Sequence, residues 1–260
     1  MKALKRFGQN FLFDKNILAL IISRANLQNN DFVLEVGAGH GVLTRALLEQ
    51  NISRLYSIEL DERLRPELEE LEKNESTLKI FFDDAVKFDY EKLNPFPNKI
   101  IANIPYNITT PLIWNLLKFS EHGLKYHLYM LQKESALRII APPDTKERYP
   151  LGITIEAMGH ASIVKNVSRN CFRPIPEVDS AIVEIVIEKN FELANDDLWS
   201  EILHKGFSQR RKTLLNNLKN FHDINDILFS LNIDKNIRAE DLTSEEWLKI
   251  YHNVKNPSVN

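Results

Sequence analysis

Residues 35–41 read Glu-Val-Gly-Ala-Gly-His-Gly. They overlap the end of a short apolar run, Phe32–Val36, and lead into a helical pattern over Gly41–Gln50 with Val42, Leu43, Ala46 and Leu47 on one face. Glycines between a strand and a helix let the backbone turn tightly and approach a ligand closely. A strand that feeds a helix in this way belongs to a parallel sheet, whose strands are joined by helical crossovers. The alternation continues along the chain. Residues 54–59 and 78–82 are strand-like, with a charged helix at 62–73 that turns Leu64, Leu68 and Leu71 inward. Residues 99–103 form a fourth strand. A helix at 109–118 carries Pro111 near its start, where the missing N–H is tolerated. A fifth strand at 124–132 precedes a helix at 133–140. This order predicts an α/β fold, a mostly parallel sheet with helices on both faces and right-handed crossovers.

The pattern changes late in the chain. Val178–Ile187 is the strongest strand, and from about residue 196 only helical segments follow, at 198–207, 211–218, 223–231 and 243–251. Thr243-Ser-Glu-Glu246 matches a capping box at the start of the last one. The reading therefore expects two domains: 1–188, carrying the sheet, and 189–260, small and all-α.

Composition narrows the function classes. With 43% hydrophobic and 27% charged residues among 260, wholesale disorder is excluded. A single cysteine, Cys171, allows neither an internal disulfide nor a four-cysteine zinc site. No metal is expected, and a reducing, cytoplasmic setting is. No apolar run approaches the ~20 residues of a membrane helix, and the first fifteen residues lack the apolar core of a secretory signal. A membrane is therefore not an expected partner. The net charge of −3 hides an uneven distribution. Residues 59–91 hold twelve acids against five bases, whereas 157–176 and 204–219 contain no acid. The second of these basic stretches carries Lys205, Arg210, Arg211, Lys212 and Lys219. Residues 1–13 add Lys2, Lys5 and Arg6. Such surfaces suit phosphates, although ordinary solvated helix faces carry charge too.

Three motifs carry chemistry. In the first, Gly37 and Gly39 fit the dinucleotide fingerprint, but Val42 stands at its third glycine position. The acid before the loop and the G-x-G-x-G spacing fit S-adenosyl-L-methionine instead; a ligand-free glycine turn has the same letters. Glu59 ends the second strand, 18 residues after Gly41, where a carboxylate can accept both ribose hydroxyl hydrogens. Asp83-Asp84 follows the third strand, where an acid can accept the hydrogens of an adenine amine or simply face solvent in a turn. The second motif is Asn103-Ile-Pro105-Tyr106 at the end of the fourth strand. An aromatic amine is a poor nucleophile because its lone pair is delocalised into the ring. Two acceptors, the Asn103 side-chain oxygen and the Ile104 carbonyl, would hold both N–H bonds and aim the lone pair at an incoming methyl. Pro105 fixes the local backbone, and Tyr106 can stack on the base. A neutral Asn works by orientation and electrostatics, not as a strong base. The third motif is Cys171-Phe172-Arg173-Pro-Ile-Pro176. Phe172 suits a second wall against a flipped base, or equally a plug in the core.

These stretches together resemble the ribosomal RNA adenine dimethyltransferases, in particular their bacterial small-subunit branch. The resemblance is carried by GQNFL at 8–12, EVGAGHGVLT from Glu35, Glu59, Asp84-Ala85, IANIPYNITTPL at 101–112, MLQKE at 130–134, FRPIPEVDSAIV at 172–183 and FSQRRKTLLNNL at 207–218. It implies a Rossmann-like methyltransferase sheet with S-adenosyl-L-methionine as donor. It implies Asn10 and Leu12 beside the methionine moiety, Gly37 in the loop beneath it, Gly39 among the donor-binding residues, Glu59 on the ribose and Asp84 on the donor's adenine. Asn103 would lie near both donor and target amine, with Tyr106 and Phe172 stacking on the base. The implied reaction adds two methyl groups to each of two adjacent adenosines in the 3′-terminal hairpin loop of small-subunit ribosomal RNA. The implied partner is a nearly assembled small subunit, and the implied state a monomer.

Three departures stand out: Asp83 where a glycine is usual, His40 within the glycine loop (expected exposed and not catalytic), and Tyr149-Pro-Leu-Gly152 in place of a Tyr-Gly-x-Leu order. Lys205, Arg210, Arg211 and Lys212 are expected on RNA phosphates. Two alternatives remain open from the sequence: a large-subunit RNA adenine dimethyltransferase conferring antibiotic resistance, and a catalytically silent RNA-binding assembly factor on the same fold. An NAD oxidoreductase fails on the glycine spacing.

Overall fold

A computed structural model describes residues 10–256. It divides into two compact units: one runs up to Ala136 and resumes over Ser162–Val186, and the other comprises Leu137–Ala161 and the chain from Ile187 onward.

The first unit is organised by its sheet. Five parallel strands lie in the order β4 (Leu78–Phe82), β3 (Arg54–Glu59), β2 (Phe32–Val36), β5 (Lys99–Asn103) and β6 (Tyr126–Gln132). β9 (Ser180–Ile187) pairs antiparallel with β6, and β7 (Gly159–Val167) completes the sheet beyond it. The inner strands are buried almost without interruption, which is why they read as continuous apolar runs and not as alternating ones. The connecting helices are α1 (Lys15–Ala25), α2 (Val42–Leu48), α3 (Arg65–Asn74) and α4 (Thr109–Leu117). Asp14 caps α1 by accepting from the amides of Asn16 and Ile17. Ile21, Leu47, Leu55, Leu68, Ile101 and Leu128 meet in one core, with Leu12 and Phe172. Those last two come from a separate antiparallel pair, β1 (Phe11–Leu12) with β8 (Phe172–Arg173).

The strand order reverses between β2 and β5. In open α/β sheets the ligand crevice lies there, outside the carboxyl ends of the strands. At this crevice the glycine loop follows β2, Asp84 follows β4, and Glu59 and Asn103 end β3 and β5.

The second unit is helical: α6 (Pro150–Met158), α7 (Asp197–Gly206), α8 (Leu214–Leu218), α9 (Ile224–Ser230) and α10 (Ser244–Lys255), with α5 (Lys133–Ile139) leading in. Trp199 and Trp247 are fully buried in it. The Trp199 indole donates to Thr154 Oγ1 at 2.9 Å. Arg148, 1% exposed, donates to the carbonyls of Leu242 and Ala141 and to Glu156. The capping box at Thr243 is formed.

The expected division at 188/189 differs from these units, because Leu137–Ala161 joins the helical one. The reason lies in α6, which is buried on nearly every side and packs against α7 and α10. Gly152 makes that packing possible, since a Cβ there would come within 2.7 Å of the Arg138 carbonyl oxygen. The Pro-Leu-Gly order thus serves a helix start, with Pro150 in the first turn and Gly152 at a close contact.

Candidate active site

The first unit holds a cavity of about 300 Å³ at the switch point. Its floor is the loop after β2. Gly37, Gly39 and Gly41 have φ of +82°, +56° and +71°, a left-handed region that side chains rarely tolerate. The Gly37 amide donates to the Ile58 carbonyl at 2.8 Å. A Cβ on Gly39 would lie 3.0 Å from two ring carbons of Phe11, so the glycine admits the β1 segment over the loop. A Cβ on Gly37 would meet the Asn103 carbonyl oxygen at 3.5 Å, so the two functional loops touch.

Beneath the loop lies Glu35, fully buried. Its Oε2 accepts from Thr44 Oγ1 at 2.7 Å and Ser57 Oγ at 2.9 Å, linking β2, α2 and β3. Its Oε1 accepts nothing from the described residues. Burial pushes this carboxyl up to about 7, against the two hydroxyl donors, and the nearby Glu59 adds to the rise.

Glu59 is 6% exposed and lines the cavity at the end of β3. Its Oε2 accepts from the Gly39 amide and its Oε1 from the Asp61 amide, both at 2.8 Å. Burial raises its pKa, and those amide donors oppose the rise. The carboxylate is therefore a fixed acceptor, and it sets the loop geometry as well as facing the cavity. Asp84, after β4, also lines the wall and is held by the Val86 amide at 2.9 Å. Its exposed neighbour Asp83 accepts from the Asp84 amide at 2.7 Å, so the acid in place of a glycine braces this turn.

At the end of β5, Asn103 and Tyr106 flank Pro105 on the cavity wall. The Asn103 side-chain amide donates to the Asn10 carbonyl at 3.1 Å. That bond assigns the NH2 end to the N-terminal segment and leaves Oδ1 as the acceptor of this carboxamide. The Ile104 amide is tied to the Met130 carbonyl at 3.1 Å. The Tyr106 hydroxyl bonds Ser180 Oγ at 2.9 Å, and burial raises its pKa, so the ring stands neutral and fixed. Asn10 and Leu12 also line the cavity.

Other expectations need correction. Phe172 is not on the cavity wall: it is 0% exposed, sits in the core and pairs with Leu12 across β1–β8. An aromatic plug beside an aliphatic core gains more from burial than from solvent. Arg210 is half-buried, not spread on the surface. Its guanidinium donates to the Lys146 carbonyl at 2.6 Å, lies over the Tyr149 ring and approaches Glu240. Lys205, Arg211 and Lys212 are exposed. His40 is partly buried on the cavity wall, its ring 4.8 Å from that of Phe11 and its Nδ1 2.8 Å from Glu67. Tyr149–Gly152 belongs to the helical unit and does not line the cavity. Lys2, Lys5 and Arg6, and Gly8 and Gln9 of the GQNFL stretch, lie outside the described residues. The sequence reading missed Phe11 as a wall residue and the exposed rim residues Val42 and Leu60. An apolar side chain directly beside a glycine loop or an acidic strand end was the available signal. No helix among the described residues is long and apolar enough to cross a membrane.

The lining fits an adenosyl sulfonium ligand: a glycine cradle that Cβ atoms would strain, one carboxylate at the end of β3, a second after β4, and an apolar rim. Fold and site together define a methyltransferase of the doubly wound α/β class. The model of the ribosomal RNA adenine dimethylase family matches residues 1–256. The ribosomal RNA small subunit methyltransferase A of Chlorobium phaeobacteroides is 36% identical, over 96% of this chain and 93% of that protein. The protein of the same name from Saccharophagus degradans is 38% identical, with the same coverage. A dimethyladenosine transferase from Plasmodium falciparum superposes with a TM-score of 0.80 at 29% identity, over 92% of this chain and 95% of that one. The 23S rRNA methyltransferase ErmE shares the fold, with a TM-score of 0.71 at 21% identity, over 95% of this chain and all of that one. The chain belongs to the ribosomal RNA adenine dimethylase family; it is an adenine dimethyltransferase whose methyl donor is S-adenosyl-L-methionine.

Proposed function

We propose that this enzyme dimethylates the amino nitrogens of two adjacent adenosines in the 3′-terminal hairpin loop of small-subunit ribosomal RNA, acting as a cytoplasmic monomer on a nearly assembled small subunit. The observation that carries the site reading is the Asn103 carboxamide, oriented by the Asn10 carbonyl on the wall of the same cavity as the glycine loop and Glu59. Bound S-adenosyl-L-methionine supplies an electrophilic methyl group. Glu59 holds the ribose, Asp84 the adenine, and Gly37, Gly39, Asn10 and Leu12 surround the methionine moiety. Asn103 Oδ1 and the Ile104 carbonyl accept the two hydrogens of the target amine, which favours a tetrahedral nitrogen with its lone pair free. Tyr106, anchored on Ser180, stacks on the base. Catalysis by these residues is positional and electrostatic, since no strong base is required of Asn103. Lys205, Arg211 and Lys212 offer charge to RNA phosphates from the helical unit.

The relatives named for the small subunit, at 36–38% identity over nearly the whole chain, favour that substrate over the large-subunit alternative. Labelled donor incubated with undermethylated small subunits should place label on adenine amines of the hairpin loop. Asn103→Ala should retain donor affinity and lose about 10²–10³-fold in turnover, as removal of one oriented hydrogen-bonding group does. Label on a ring carbon or sugar, or undiminished Asn103→Ala turnover, overturns the reading.

A further inference from the structure

One exposed aromatic beside the cavity is not used by the chemistry above. Asn10, Phe11 and Leu12 wall the cavity, and the next residue, Phe13, leaves it with 49% of its surface exposed. The Phe13 amide donates to the Cys171 carbonyl at 3.1 Å, extending the β1–β8 pairing by one step. The ring is thereby fixed on a backbone that also forms the cavity wall. Over it, at 4.5 Å from the ring centroid, lies the Arg173 guanidinium.

Arg173 is exposed, and its Nη1 reaches only the carbonyls of Asn170 and Phe172, at 3.4 and 3.0 Å. Arg169 donates from Nη1 to the Glu177 carbonyl at 3.0 Å. Neither arginine is ion-paired with a carboxylate among the described residues. Beyond them the loop exposes Ile175 and Val178, at 53% and 45%. Buried in the core, Phe13 would gain more than it does on the surface. Held on the rim, it presents an aromatic ring with the unneutralised guanidinium of Arg173 over one face.

We infer that Phe13 and Arg173 form a stacking platform for a nucleotide flanking the target adenosine, a site separate from the base wall at Tyr106. The inference rests on the proposed RNA substrate and adds where its neighbouring base goes. Single-stranded bases splayed from a loop stack on aromatic rings and on guanidinium planes, and the platform is sequence-tolerant because every base has a π-face. The occupant follows from the charge, which matches a phosphodiester, and from continuity with the cavity, since a flipped adenosine brings its neighbours to the rim. An acidic protein surface would satisfy the charge but would have no need of a flat ring.

The test uses the full chain with Phe13→Leu, Phe13→Trp and Arg173→Gln. Leu keeps an apolar side chain of similar bulk and removes the π-face, so a merely structural role survives it. KM for undermethylated small subunits should rise roughly tenfold in Phe13→Leu, the scale of one lost base–aromatic stack. kcat at saturation should stay within about twofold, and donor affinity by calorimetry should be unchanged. Phe13→Trp should restore or improve KM. A single-stranded RNA oligonucleotide carrying 2-aminopurine should be quenched by the wild type and by Phe13→Trp and much less by Phe13→Leu. Arg173→Gln should raise KM and flatten its salt dependence. A Phe13→Leu KM within twofold of wild type overturns the platform. So does failure of Trp to rescue, which would mean that the patch packs against protein. Wild type that transfers no methyl to any RNA overturns the functional reading itself.

Discussion

The buried carboxyl of Glu35 ties stability to pH in a direction opposite to the usual surface carboxylate. Its pKa rises from the ordinary 4.5 to about 7, chiefly because burial penalises the charged form. The native state therefore holds this proton more tightly than the unfolded chain does. The stabilisation is complete below 4.5, declines as pH rises towards 7, and is lost above. At ~1.4 kcal/mol per pH unit, the whole change is about 3 kcal/mol. Glu35→Gln keeps the shape, still accepts from Thr44 and Ser57, and cannot ionise. Its NH2 lies on the Oε1 side, where no described residue pairs, so the variant carries a roughly constant cost of about 1–3 kcal/mol. The difference between variant and wild type should then move by about 3 kcal/mol in the variant's favour from pH 4.5 to 8. At about 2–4 °C per kcal/mol for a protein of this size, Tm should shift by roughly 6–12 °C relative to wild type. Thermal unfolding of both proteins across that range is the assay. The buried His127, lowered to about 4 by burial, contributes a slope of opposite sign between 4 and 6.5. It is present in both proteins and cancels in the difference. A difference that stays flat from pH 4.5 to 8 would refute a strongly perturbed Glu35 beneath the glycine loop.

Gly39→Ala forces a left-handed residue at φ +56°, at about 1–2 kcal/mol, and pushes a Cβ against Phe11. Donor affinity by calorimetry should fall about tenfold or more, and an unchanged affinity would remove the loop from the donor site. Phe172→Ala should lower stability by about 3–5 kcal/mol in urea unfolding, as loss of a core aromatic does. A loss under 1 kcal/mol together with a raised KM for RNA would return Phe172 to the base. Neutralising Lys205, Arg211 and Lys212 together should make the salt dependence of RNA binding shallower by up to about 2–3 in log–log slope. Arg210→Gln should lower Tm instead, because its donors are committed to Lys146 and Tyr149; the reverse pattern would contradict the assignment.

Most of the sheet was readable from the sequence because its strands are buried on both faces and end in chemically marked turns. FVLEV, RLYSIE and KIIAN each run into a glycine, an acid or an Asn-Ile-Pro-Tyr turn, and all three fall within a residue of the observed strands. α6 and β7 were not anticipated. α6 is apolar on nearly every side, so it lacks the one-sided stripe by which a helix declares itself. β7 alternates buried and exposed positions poorly and carries Lys165 and Asn166 in its interior. α1 is hard to read from the sequence although Asp14 caps it, because Ile17–Ile22 is a continuous apolar run, a pattern in which strand and helix cannot be told apart by period.

The site residues divide along a physical line. Those whose role depends on main-chain geometry at a strand end were marked by residue type: Gly37, Gly39, Glu59, Asn103 and Pro105. Those whose role depends on which way a side chain turns were not. Phe13 lies one step along the β1–β8 ladder from the Leu12–Phe172 pair, and nothing in the letters says that Phe172 is buried and Phe13 exposed. The same holds for Arg210 and Arg211, adjacent in chain, one bound over Tyr149 and the other open to solvent. Asn103 shows how the two kinds of information combine. Its residue type supplies both a donor and an acceptor, and only the Asn10 carbonyl decides which end faces the cavity. Because that carbonyl belongs to the segment that also roofs the glycine loop through Phe11, displacement of β1 would release the carboxamide and loosen the donor cradle together.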